Sequence, residues 1–297
     1  YINDLKTLSD SEGILIFDSG NFFQGHPLGI IDSGKTVIEW MNKVGYDALV
    51  PAQYDFIFGY KNLVSLSKKA NFPFVACNLI FEDTKEHLFN PYVIIESENK
   101  KIGILGVVPS SLDQIVLQNN ITGLEIQSEL ESLQKWTKEL KNKNVDTIIL
   151  LSSLGIPWDR EDVYANFLNE IKDYNEDELS NYNCRNSIEL GYFSSDIDFI
   201  FSGGISKGYD TPWYDPHSHV YTFQNYGNLT GFSHFLINFD DKRDIMSGFS
   251  YVVRNKISQT LFLDDFSYFE NDYKWIQDKT KLALNKTYSK ASWNKFI

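Results

Sequence analysis

Residues 14–29, ILIFDSGNFFQGHPLG, constrain the fold of this chain more than any other stretch. Four apolar residues in succession, Ile14 to Phe17, read as a strand buried on both faces. Asp18-Ser19-Gly20-Asn21 follows at once as a tight polar turn. A strand of this kind belongs to a sheet covered on both sides. In open α/β sheets ligands collect outside the carboxyl ends of the strands. A site is therefore expected at this turn.

The rest of the chain alternates strand and helix, the pattern of an α/β layered domain. Residues 36–44 place Val37, Ile38, Met41 and Val44 on one helical face, and Gly45 stands ready to end that helix. A short strand at 48–51, a helix at 61–70 and a strand at 72–78 come next. Residues 91–96 and 101–107 read as a hairpin around Glu98-Asn99-Lys100. A helix at 127–142 and a buried strand at 145–151 are followed by a helix at 162–174. The polar stretch 175–185 reads as an exposed insertion. Residues 196–201 form one more strand, ending at Ser202-Gly203-Gly204. Segments 220–224, 231–240 and 248–254 read as strands of an antiparallel layer, and 266–290 as one long exposed helix. No repeat or low-complexity linker divides the chain. The expected organisation is one domain over 1–260 with a helical tail over 261–297.

Composition excludes several classes. Forty acidic against 27 basic residues give a formal charge of −13, and no Lys/Arg-rich run appears, so a nucleic-acid partner is not expected. No apolar run approaches the roughly 20 residues that span a bilayer. Tyr1 opens in what reads as the middle of a helix, so upstream residues are expected and targeting cannot be read. Cys77 lies in an apolar strand pattern and reads as a core residue, while Cys77 and Cys184 together neither require nor exclude a disulfide.

The opening stretch resembles the strand-turn of the 5'-nucleotidase-like metallophosphoesterases, written D-A/S-G-D-x-F-Q-G-x-P-L-S/G. Asp18, Ser19, Gly20, Phe23, Gln24, Gly25, Pro27 and Leu28 fit it. Further motifs follow in order. Residues 41–48, MNKVGYDA, are similar to M-N-x-x-G-Y-D-A, and Gln53-Tyr54-Asp55-Phe56 stands where the family has N-H-E-F. Residues 146–155, DTIILLSSLG, resemble D-x-x-I-x-L-S-H-L-G, and residues 198–207, DFIFSGGISK, resemble D-x-I-x-G-G-H-S-H. The resemblance implies a four-layer α/β/β/α metallophosphoesterase-like sandwich with mixed sheets. It also implies a site for two divalent cations and an extracytoplasmic location in the periplasm or at the cell surface.

The same motifs have lost the residues that such a site requires. The family's bridging aspartate is Asn21 here, a neutral amide where two dications need anionic oxygen between them. Gln53 stands for the ligand asparagine, Tyr54 for the histidine that stabilises phosphoryl charge, and Ser153 for the ligand histidine of S-H-L-G. Aligned on the glycine pair, Ile205 and Lys207 replace both histidines of G-G-H-S-H. Aligned on Asp198, Gly204 and Ser206 replace them. Asn21, Gln53 and Ser153 are expected to hydrogen-bond one another in a repacked pocket. Lys207 has two readings: its ammonium pairs with Asp18 or Asp55 as a stand-in for the cation, or it snorkels to solvent, the reading slightly favoured.

Other candidates are weaker. His217-Ser218-His219 would place two imidazoles on one side of a strand, without a third ligand, and His26 and His234 are single histidines near the expected pocket. Phe22, Phe23, Tyr54, Phe56, Phe58, Tyr209, Trp213 and Tyr214 are expected near the pocket mouth, where they would stack a ligand, anchor a partner or pack the loops. The chain is read as a catalytically inactive relative acting as a binding or scaffold subunit, with a protein partner and no cofactor. A residual metal-dependent phosphoesterase and a nucleotide or sugar receptor using the vacated pocket are the alternatives.

Overall fold

The computed structural model describes residues 13–25, 27–205, 207–227, 231–240, 245–255 and 270–285. Its centre is a six-stranded mixed sheet in the order β4-β5-β7-β8-β10-β9. Here β4 is Tyr92–Ser97, β5 Lys100–Val107, β7 Thr147–Ser152, β8 Phe199–Ser202, β9 Trp213–Tyr214 and β10 Tyr221–Gln224. The hairpin β4–β5 turns through Glu98 and Asn99, both with positive φ, which suits the right-handed twist of its strands. From β5 through β10 the pairings are parallel, with Ile149 opposite both Ile104 and Phe199.

The side chains of this sheet alternate between two cores, as a strand's period of two demands. Ile148, Leu150 and Ile200 face helices Glu129–Asn142, Arg160–Ile171 and Ser187–Tyr192, packing with Leu140, Phe167 and Leu190. Ile149, Leu151 and Phe199 face the other way into the larger core. That core is closed by a second layer of strands. β1 (Phe17–Asp18) pairs in parallel with β2 (Ala48–Leu49), and Phe74 bridges onto Leu49. The hairpin of β11 (Gly231–Asp240) and β12 (Ile245–Asn255) lays Phe235 and Phe249 on Phe199, at ring separations of 4.6 and 5.1 Å. Helices Lys35–Val44 and Tyr60–Ser67 cover the outside through Ile38, Met41, Leu63 and Leu66. The layering is α/β/β/α, as expected.

Local rules account for most boundaries. Gly45 ends the first of these helices in the left-handed conformation and donates its N–H to Met41 O. Ser128 caps the helix that starts at Glu129. The remaining small antiparallel pair is β3 (Leu79–Phe81) with β6 (Leu124–Ile126). Residues 72–78 make only isolated bridges, at Phe74 and Val75, rather than the strand expected there. Residues 175–185 are not a wholly exposed insertion. They contain the capped helix Glu176–Ser180, and Tyr182 and Cys184 are buried against the Phe167 cluster. Both cysteines are free thiols, with Cys77 in the core. The expected helical end within residues 1–12 lies outside the described residues. In the tail, helix Glu270–Asn285 is tied to the outer layer by Lys279 Nζ on Glu39 Oε2 at 2.8 Å and by Lys43 over the Trp275 ring.

Candidate functional site

The two strand layers deliver four turns to one place. β1 ends at Asp18, β2 runs on through Val50 to Gln53, β7 ends at Ser152 and β8 ends at Ser202. After β1 the chain turns sharply: Gly20 N–H donates to Asp18 Oδ1 at 2.8 Å, and Asn21 takes a positive φ of 61°, which asparagine tolerates better than most residues. Ser19 Oγ donates across the layers to Phe201 O at 2.8 Å.

Asp55 holds the next two turns together. It lies in the short 3₁₀ helix Gln53–Phe58 and is fully buried. Its Oδ2 accepts from Ala52 N at 2.9 Å and from Asn21 N at 2.7 Å, and its Oδ1 accepts from Phe22 N at 3.0 Å. Three otherwise orphaned backbone donors are satisfied by one carboxylate. Burial pushes the Asp55 carboxyl up to about 7 against these bonds, with the Asp18 charge adding to the rise. The carboxyl of Asp18, a residue of intermediate exposure, is enclosed by protein atoms, and desolvation raises it to about 6.

The fourth turn closes the cluster. Gly204 has a positive φ of 89°, and a Cβ there would lie 2.2 Å from Ser153 O, so only glycine fits. Its carbonyl points at the two amides. Asn21 Nδ2 donates to Gly204 O at 2.9 Å and Gln53 Nε2 donates to the same oxygen at 2.6 Å. Asn21 Oδ1 in turn accepts from Tyr54 N at 2.9 Å. Asn21 and Gln53 thus meet on a third residue rather than on each other. Ser153 does not join them; it is buried, and its hydroxyl donates to Val107 O at 3.3 Å.

Lys207 does not enter the cluster. Its Nζ lies 4.6 Å from the Trp158 ring centroid and 5.2 Å from that of Tyr209, and no ion pair joins it to Asp18 or Asp55. The charge-substitution reading is therefore corrected: pairing there would desolvate the ammonium, whereas the rings hold it at the surface. Ile205 is exposed and stands against Gly155, and Tyr54 is exposed at the edge. The H-x-H pair is also corrected. It lies in a turn organised by Asp215 rather than along a strand, with His217 stacked on Tyr192 at 4.1 Å and His219 Nδ1 2.6 Å from Tyr214 OH. His234 lies on β11 opposite Val252, and His26 lies outside the described residues, as does Ser206. Of the aromatic residues, Phe23 and Phe56 are core, and Trp213 and Tyr214 form the edge strand β9.

No family model matches the chain. A snake venom 5'-nucleotidase from Gloydius brevicauda is 32% identical over 148 residues, which cover 48% of this chain and 25% of that protein. The calcineurin-like phosphoesterase YfkN from Bacillus subtilis superposes with a TM-score of 0.70 at 20% identity, covering 95% of this chain and 88% of that one. The sulfate thiohydrolase SoxB of Thermus thermophilus gives a TM-score of 0.72 at 16% identity, covering 95% of this chain and 45% of that one. Over about half its length the chain is similar in sequence to 5'-nucleotidases, and its fold is that of the calcineurin-like phosphoesterases. It spans about a quarter of the length of the curated 5'-nucleotidases it matches.

The calcineurin-like phosphoesterase fold implies a metal pair, and the residues present at this turn cluster do not fit one. The amide nitrogens of Asn21 and Gln53, not their oxygens, face the shared Gly204 carbonyl. Both Asp55 oxygens already accept backbone donors. Among the described residues no three His, Cys, Asp or Glu side chains converge to hold a cation. No step of a reaction can be drawn through a metal held by these groups.

A second polar cluster, which sequence reasoning passed over, lies behind the glycine pair. Ser152, Ser187 and Ser202 link their hydroxyls at 2.9 and 2.7 Å, and Ser202 Oγ is 2.9 Å from Gln224 Oε1, which also accepts from Ile156 N. Its sequence signals were the helix cap at Asn186 and the stretches 185–190 and 224–228, which resemble a subgroup of the 5'-nucleotidase-like family. Arg160, in the stretch Trp158-Asp159-Arg160-Glu161 that resembles a subgroup of the same family, stacks over Tyr209 at 4.3 Å.

Proposed function

We propose that this chain is a catalytically inactive relative of the 5'-nucleotidases that serves as a binding or scaffold subunit of an extracytoplasmic assembly. In this reading residues 1–260 form the metallophosphoesterase-like domain and residues 261–297 its helical tail. The observation that supports inactivity is the shared acceptor: Asn21 and Gln53, at the positions of a bridging aspartate and a ligand asparagine, both donate to Gly204 O. A side-chain amide that presents N–H to the site offers no lone pair there for a cation. The location in the periplasm or at the cell surface rests on the relationship alone.

The test is metal content by mass spectrometry on chelator-treated protein reloaded with manganese and zinc, with nucleotide and phosphodiester turnover assayed on the same sample. The expected result is substoichiometric metal and no turnover above the uncatalysed rate. Stoichiometric metal with turnover would overturn the proposal and favour a residual phosphoesterase. Nucleotide or sugar binding without turnover would favour a small-ligand receptor.

A further inference from the structure

Near the turn cluster the described residues expose the large apolar side chains of Tyr54, Trp158, Ile205 and Tyr226. Scattered exposed apolar residues need no explanation, but a contiguous run of them does. Chain and hydrogen-bond contacts connect the segments that carry these side chains. Leu117 lies beside Asn120, whose Nδ2 donates to Ile57 O at 3.1 Å. Tyr54 follows, bonded to Asn21, which is bonded to Gly204. Ile205 then packs on Gly155, Trp158 comes three residues later, and Tyr226 closes on Gly208. Trp158 is 67% exposed and Leu117 75%.

Within this band sits one ammonium without a counter-ion. Lys207 Nζ is flanked by the Trp158 and Tyr209 rings, and among the described residues no carboxylate pairs with it. Its neighbour Arg160 differs, being bound to Glu161 and to Thr211 O at 3.0 Å each. Aromatic faces attract an ammonium without cancelling its charge, so Lys207 remains open to an anion from the solvent side. The chain as a whole carries net charge −13 and gives no long-range attraction to an acidic partner. Lys207 therefore acts at contact, fixing register rather than steering encounter.

We propose that this face docks an extended segment of a partner protein in which a Glu or Asp carboxylate, flanked by apolar side chains, pairs with Lys207 between Trp158 and Tyr209. The proposal rests on the reading of the chain as a binding subunit and names the chemistry of its partner. A basic segment drawn by the overall charge would bring like charge onto Lys207, and a free apolar segment would leave that ammonium covered and unpaired.

The test uses the full chain and three dye-labelled, end-capped peptides that alternate Phe and Leu with Glu, with Gln or with Lys, followed by fluorescence anisotropy. The Glu peptide is expected to bind at least about tenfold more tightly than the Gln peptide. Lys207→Glu should abolish that preference and move it to the Lys peptide, and Trp158→Ala should weaken all three by about tenfold. Both side chains reach the surface, so the thermal midpoint of each variant should match the parent. Equal affinity for the three peptides, an unchanged preference in Lys207→Glu, or no binding at about 1 mM would overturn the proposal. These failures would leave the non-catalytic reading intact. Metal uptake with turnover would do the opposite, removing that reading and leaving the peptide preference to stand or fall alone.

Discussion

Two polar clusters stand side by side at the carboxyl ends of the strands, and they are built from opposite materials. Behind the glycine pair, Ser152, Ser187, Ser202 and Gln224 form a neutral network in which each member finds a neutral partner. In front of it, Asp18 and Asp55 are enclosed with Asn21 and Gln53, and both carboxyls are pushed up by burial. The neutral cluster supports the ends of β7, β8 and β10. In the front cluster only backbone N–H groups answer the two acids, while the side-chain amides of Asn21 and Gln53 are spent on Gly204 O. The difference teaches that carboxyls enclosed by protein carry an electrostatic discomfort that a neutral hydroxyl network lacks. That discomfort should be measurable.

The largest effect is expected at the glycine both clusters share as a wall. Gly204→Ala meets two obstacles at once, a positive φ and a Cβ placed 2.2 Å from Ser153 O. A loss of about 4 kcal/mol in chemical denaturation is expected, the upper end for single substitutions. A loss below about 1 kcal/mol would mean that the turn relaxes freely and that the two amides do not depend on it.

Asn21→Asp comes next, and it restores the residue the motif would have. Here the carboxylate would lose the Nδ2 donor to Gly204 O and stand near Asp55, whose oxygens hold the neighbouring backbone N–H groups. A loss of about 2 kcal/mol is expected, with no recovery on adding manganese. Recovery of stability with metal would show that one aspartate suffices to rebuild a cation site, and the front cluster would no longer differ in kind from its relatives'.

How much of this was legible beforehand differs between the clusters. The turn after Asp18 and the alternation that follows it were legible, because apolar runs and caps are local signals. The strand expected at 14–17, however, is only Phe17–Asp18 and is half-buried rather than covered on both faces. The glycines at 203–204 marked a turn. That Asn21 and Gln53 would share one acceptor was not legible, since it depends on where the Gly204 carbonyl points, 183 and 151 residues away in sequence. The two readings that Lys207 left open have the same origin. Sequence places Lys207 near the pocket but cannot weigh Trp158 and Tyr209 against two buried acids. The strand expected at 72–78 failed for a related reason: its apolar pattern is real, but its neighbours offer only single bridges at Phe74 and Val75.

The third test separates the clusters by pH. The folded protein holds the Asp18 proton up to about 6, while the unfolded chain releases it near 3.8. The contribution is therefore fully present below about pH 4 and is lost as pH rises through about 6, because the unfolded state then binds fewer protons than the fold. Asp18→Asn should remove this slope. The difference in unfolding free energy between parent and variant should change by roughly 2 kcal/mol between pH 4 and 7. A difference that stays flat over that range would show the Asp18 carboxyl to be solvated after all.

The smallest expected effect completes the contrast from the neutral side. Ser187→Ala removes the middle hydroxyl of a fully buried chain of three, yet its neighbours keep other partners: Ser152 Oγ still accepts from Leu154 N at 3.3 Å, and Ser202 Oγ still meets Gln224 Oε1. Because Ser202 donates to Gln224 Oε1, Ser187 donates to Ser202 and Ser152 to Ser187. The variant therefore leaves only the Ser152 O–H without its acceptor, and the loss should be about 1 kcal/mol, the lower end for an unmade buried donor. No titrating group contributes to this network, and the loss should therefore be the same at pH 4 and pH 7. A loss that grows with pH would mean that the hydroxyl chain feels the Asp18–Asp55 charge through Gly203 and Gly204. The two clusters would then be one coupled unit, and the division between the neutral network and the acidic cluster would have to be redrawn at β10 rather than at the glycine pair.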